Sequence, residues 1–122
     1  MAGALLLVVM AALPVWAHHG AAAYDLAAPV TLKATVTLFD WQNPHALITF
    51  TAPGTDGGAE QQWTAETAGP VILVRAGWTK QTLKPGDHIT IVGQQARNGS
   101  RTMLLQKVVL ADGRELTSFI PR

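Results

Sequence analysis

"PVTLKATVTLFDW", residues 29–41, decides the fold. Val30, Leu32, Ala34, Val36 and Leu38 are apolar, and Thr31, Lys33, Thr35 and Thr37 stand between them. A period of two with good β-formers predicts a strand buried on one face. At Phe39 the phase slips and Trp41 continues on the other face, as expected where a long strand bends or bulges. A strand of this kind can serve both halves of a small barrel.

Working towards the C-terminus, "HALITFTA" (45–52) predicts a second strand with Ala46, Ile48, Phe50 and Ala52 on one face. "PGTDGG" (53–58) is dense turn chemistry, so "EQQWTAET" (60–67) is expected to pair back as a hairpin with Trp63 and Ala65 inward. The period changes in "GPVILVRAGW". Pro70 suits the first helical position, Gly77 suits a C-terminal cap, and Val71, Val74 and Trp78 fall at i, i+3 and i+7 as the inward face. "LKPGDHITIVG" then turns into a strand with Ile89 and Ile91 inward and His88 outward. Asn98 and Gly99 tip the next hairpin, "MLLQKVVLA" returns, and "DGRELTSF" closes with a turn and a short strand.

Three strands, one short helix, two more strands and a short sixth make an all-β chain in the element order of an OB-fold, a partly open Greek-key barrel. A β-sandwich is the alternative, and it does not need the helix between the third and fourth strands.

Working towards the N-terminus, "ALLLVVMAAL" (4–13) is too short to span a bilayer, which takes about 20 apolar residues. It has the length of a signal-peptide core. Pro14 follows, and Val15 and Ala17 suit the positions before a cleavage site, although no side chain from Met1 to Ala17 is charged. The expected organisation is a leader at 1–17, an extended segment at 18–29 and the barrel domain at 30–122, with the mature protein exported to the periplasm and not integral to a membrane. A buried N-terminal helix is disfavoured because no polar face recurs at helical spacing.

The chain has no cysteine, which removes disulfides and thiolate metal sites. Nine Lys and Arg against eight Asp and Glu leave a net charge of +1, so nucleic acid is not an expected partner. Ser100 and Ser118 lack the context of a catalytic triad, and Asp40, Glu66 and Asp87 show no acid/base spacing. Neither pattern argues for an enzyme, and a copper-dependent redox enzyme is kept only as the less favoured alternative to a binding domain.

Together "AHHG", "YD", "PVTLKATVT", "DWQNPHA", "RAGWT", "LKPGD", "NGS" and "LADGREL" resemble a group of small exported bacterial proteins known as a domain of unknown function, number six-one-five-two. Ala34 and Asp40 depart from the glycine and glutamate of that pattern. The resemblance implies a periplasmic β-barrel and no established activity.

Two places could carry chemistry. Cleavage after Ala17 would make His18 the amino terminus, where its amine and imidazole can chelate one ion, with His19 or His45 supplying a further nitrogen. Flat all-nitrogen donation favours Cu(II). The plainer alternative is an exposed His-His end with no function. In "WQNPH" (41–45), Trp41, Asn43 and His45 lie between the first two strands, at a barrel end where a small ligand or a periplasmic partner protein could dock. There the plainer alternative is that Trp41 covers the barrel end while Asn43 and His45 bond the turn backbone. Glu66 could approach the same end. Trp63 and Trp78 are expected to fill the core.

Overall fold

The structure is a computed structural model that describes residues 21–54 and 56–119. The proposed leader, His18 and His19 lie outside these residues. A short 3-10 turn, Ala21–Ala23, enters six strands and one helix. They are β1 (Tyr24–Asp40), β2 (Leu47–Pro53), β3 (Glu60–Glu66), α1 (Pro70–Arg75), β4 (His88–Ala96), β5 (Thr102–Val109) and β6 (Glu115–Thr117).

Pairing runs β3-β2-β1-β4-β5-β6, and β3 also pairs with β5. That last contact, Thr64↔Thr102 to Glu66↔Leu104, is parallel, and it closes β1, β2, β3, β5 and β4 into a ring. A closed circuit of ladders is the OB-like barrel rather than two facing sheets. β5 divides one edge between two partners, β3 along its first half and β6 along its last three residues.

The alternation puts Leu32, Ala34, Val36, Ile48, Phe50, Trp63, Ala65, Ile89, Ile91, Met103 and Leu105 in one core. Phe50 and Trp63 are cross-strand partners whose rings stack at 6.3 Å. At Gly93 the barrel wall comes too close for a side chain: a Cβ would lie 2.4 Å from the Leu104 carbonyl oxygen.

Three expectations are corrected. β1 begins at Tyr24 rather than Val30, because Tyr24 pairs with Ala96 before the register shifts to Pro29↔Gln94. The slip in β1 falls between Val36 and Leu38, one turn of the pleat earlier than Phe39. Thr37 is the extra residue, and beyond a bulge the faces exchange. Leu38 therefore points out at 52% exposure, while Phe39 and Trp41 pack on the core.

The third correction concerns α1, whose inward residue is Leu73, fully buried, whereas Val71 and Val74 are 66% and 59% exposed. The expected spacing counted Trp78 on the helical face although it lies beyond the expected Gly77 cap. Gly77, at φ +94°, does end the helix. The Gly77 and Trp78 amides donate to the Val74 and Leu73 carbonyls at 3.1 and 2.9 Å, a Schellman cap. Trp78 thus reaches the core from outside the helix, where its position carries no information about the helical face. Its indole N–H donates to Thr117 O at 2.8 Å.

Candidate functional site

The loop between β1 and β2 and the segment after β3 meet at one end of the barrel. The Ala46 amide donates to Ala68 O (3.3 Å) and the Thr67 amide to Ala46 O (3.0 Å), which extends the β2–β3 ladder past both strands. Thr67 is buried, with its hydroxyl within reach of Ala68 O (2.7 Å) and Ala46 O (3.0 Å). The Ala68 amide donates to Ser118 Oγ at 2.9 Å, so that buried hydroxyl ties the C-terminal segment to this end.

Gly69 completes the junction. A Cβ there would stand 2.6 Å from the Pro44 carbonyl oxygen, and only a glycine lets the Asn43-Pro44 turn, a cis peptide, sit against it.

This backbone fixes His45. Its Nδ1 lies 3.0 Å from Thr67 O. A carbonyl can only accept, so Nδ1 carries the proton and Nε2 is the nitrogen free for other chemistry. Nε2 faces Glu66 Oε1 at 3.6 Å, with the two side chains 51% and 23% exposed. Glu66 Oε2 in turn accepts the phenol proton of Tyr24 at 2.9 Å.

Tyr24 is itself buried, and its phenol is pushed up from an ordinary 10.0 to about 12. Burial is the larger cause, and the hydrogen bond and negative charge of Glu66 add to it. The backbone register explains how a residue so far along the chain arrives here. Tyr24 pairs with Ala96 on β4, and two residues before Ala96 a row runs from Gln94 through Leu104 of β5 to Glu66 of β3.

Among the residues singled out from sequence, His45 and Glu66 are brought together. Trp41 stands apart as a cover: it is half-buried against the core and meets Phe39 edge-on at 5.7 Å. Asn43 is exposed beside Gly69. His88 faces outward, its Nδ1 3.2 Å from Thr35 Oγ1, and takes no part. Tyr24, Thr67 and Gly69 are members that the sequence reading missed. For Tyr24 the signals are its place in the "YD" piece of the family resemblance and its being the sole tyrosine of the chain.

Among the described residues, no group of three or more His, Cys, Asp or Glu side chains could hold a metal ion. Any such centre at His45 needs donors from elsewhere in the chain. Among the described residues, too, no helix is long and apolar enough to cross a membrane.

Fold and site define a small OB-like barrel with a histidine and a carboxylate facing each other at one end. The chain belongs to a family of unknown function (DUF6152), whose model matches residues 5–106. No curated protein and no solved structure matches it.

Proposed function

We propose that the protein is an exported, periplasmic binding domain, without enzymatic activity, that holds one copper ion between its mature amino terminus and His45. In this reading residues 1–17 are a cleaved leader, and the family match extends into that apolar stretch. His18 supplies its α-amine and imidazole, His45 supplies Nε2, and His19 is the substitute for either ring.

One observation carries the proposal: Thr67 O holds the His45 Nδ1 proton and leaves Nε2 turned to half-open surroundings. A metal-ligating histidine almost always donates its second nitrogen to a carbonyl or carboxylate in this way. Tyr24 adds the connection to the N-terminal segment, because its phenol binds the same Glu66 that faces His45. Ala21–Ala23 form a 3-10 turn, which rises about 2.0 Å per residue, and an extended chain covers at most about 3.3 Å per residue, so His18, six residues earlier, has a reach of at most about 16 Å.

Calorimetric titration of copper(II) into the mature chain tests this reading. Tight one-to-one binding is expected, weakened by His45→Ala and by acetylation of the His18 α-amine, which removes the chelating amine. Binding indifferent to both changes would refute it.

A second reading is favoured by a different surface. Val71, Ile72 and Val74 of α1 are all exposed, an unusual use of three large aliphatic residues on a six-residue helix. A domain that docks a periplasmic protein through this end would use them together with Trp41 and Asn43. It would keep its partner after His18 and His19 were removed.

A further inference from the structure

We propose, independently of the copper site, that the outer face of α1 seats the domain on a membrane surface rich in anionic phospholipid. Val71, Ile72 and Val74 enter the lipid interface, and Arg75 and Lys80 rest among the headgroup phosphates.

A helix that only closed a barrel would turn its apolar residues inward, and α1 turns most of them out. Leu73 is fully buried, while Val71, Ile72 and Val74 are exposed. Val71, Val74 and Arg75 fall at i, i+3 and i+4, on the side turned away from Leu73. Single exposed aliphatic side chains are ordinary. Among the described residues, however, six large apolar side chains are exposed, and three of them stand on this six-residue helix. A fourth, Phe119, follows Ser118, whose hydroxyl accepts the Ala68 amide two residues ahead of the helix.

Charge indicates the occupant. From Thr67 to Gly86 the chain carries Arg75, Lys80 and Lys84 and no Asp or Glu, while the other six Lys and Arg share the rest of the chain with all eight Asp and Glu. Arg75 and Lys80 are exposed, and among the described residues neither enters an ion pair. Lys84 is set aside, because its amide donates to Asp87 Oδ2 at 2.9 Å and so keeps an acid beside it. An aliphatic face beside unpaired cations matches anionic headgroups over a hydrocarbon interior.

Other occupants fit less well. A second copy of the chain would bring cation onto cation across the two-fold axis. A protein partner calls for a packed apolar centre and a polar, hydrogen-bonding rim. Val71 and Val74, at 66% and 59% exposure, protrude rather than line a groove, and Arg75 is the only polar side chain on α1. Lipid needs neither a groove nor a directed hydrogen bond. Seated in this way, the domain would bring its His45 end to the membrane, because Gly69, at the start of α1, lies against Pro44.

The test uses the mature chain, free of the apolar residues 4–13, and sedimentation with vesicles of phosphatidylcholine alone or mixed in equal parts with phosphatidylglycerol. The wild type is expected to bind the mixed vesicles at least about tenfold more strongly at low salt, with the difference closing as salt is raised. Arg75→Gln combined with Lys80→Gln should weaken binding to the mixed vesicles by about 25-fold, about fivefold for each charge, and remove the preference between vesicles. Val71→Ser combined with Val74→Ser should weaken binding to the mixed vesicles by about tenfold or more, as apolar area leaves the interface. Circular dichroism checks that each variant is folded. Mixed-vesicle binding unchanged by the two valine substitutions would place the contact elsewhere and overturn the proposal. Failure of the wild type to sediment with either vesicle would overturn it as well, and would leave this face to a protein partner.

Discussion

The phenol of Tyr24 and the carboxylate of Glu66 meet at 2.9 Å, joining the first residue of β1 to the last residue of β3. This one contact fastens the chain's N-terminal segment to the barrel end that carries His45. It also has a measurable consequence in the absence of any metal.

Tyr24 is the only tyrosine, so phenolate absorbance reports it alone. In the folded protein its pKa is raised to about 12 from 10.0, chiefly by burial. A raised folded value means that the associated stabilisation is complete below pH 10 and is lost as pH climbs towards 12. Spectrophotometric titration should show no ionisation near pH 10 in buffer and a normal transition near 10 in concentrated urea. A folded-state transition near 10 would contradict the buried contact.

Gly69→Ala should destabilise the protein by about 1–3 kcal/mol, as overpacking does, since the new methyl would press on a backbone oxygen that has no rotamer to retreat into. Urea unfolding measures it. The same variant should also disturb His45, because Pro44 is the neighbour that must move.

On α1 the two faces should behave oppositely. Leu73→Ala removes a fully buried side chain and should cost about 2–5 kcal/mol. Val71→Ser and Val74→Ser, on exposed positions, should stay within about 0.5 kcal/mol of wild type. Equal losses at Leu73 and Val74 would restore the helical face that the sequence spacing suggested.

Ser118→Ala should cost about 1–3 kcal/mol in thermal or urea unfolding, because the Ala68 amide would be left buried without an acceptor. A neutral result would mean that the C-terminal segment does not hold this end of the barrel.

Much of the barrel is legible because alternation is a strong local signal. Ala46, Ile48, Phe50, Ala52, Trp63, Ala65, Ile89 and Ile91 are all buried where a period of two placed them. The bulge in β1 could be anticipated, but its position could not. "TVTLFDW" reads equally well with the slip at Thr37 or at Phe39, and pairing with Thr49 and Phe50 decides it. The helix failed for a related reason: Trp78 is buried by tertiary contact beyond a glycine cap, and its inclusion rotated the apparent apolar face.

The site was half legible. His45 stood out as a histidine beside a turn, and Glu66 as an acid at a strand end. What joins them is non-local: a carbonyl 22 residues from His45 and a phenol 42 residues from Glu66. No spacing along the chain announces either. Gly69 and Ser118 are equally silent, since a close approach and a buried acceptor exist only once the two loops have met.

The most direct measurement is the native intact mass of the protein recovered from the periplasm after expression from its own leader, taken with and without acid denaturation. The expected result is a chain beginning at His18 that carries one copper ion natively, loses it in acid, and fails to retain it when His18 is replaced by alanine. A chain that begins at His18 and holds no metal, even after growth with added copper, would contradict the proposed function.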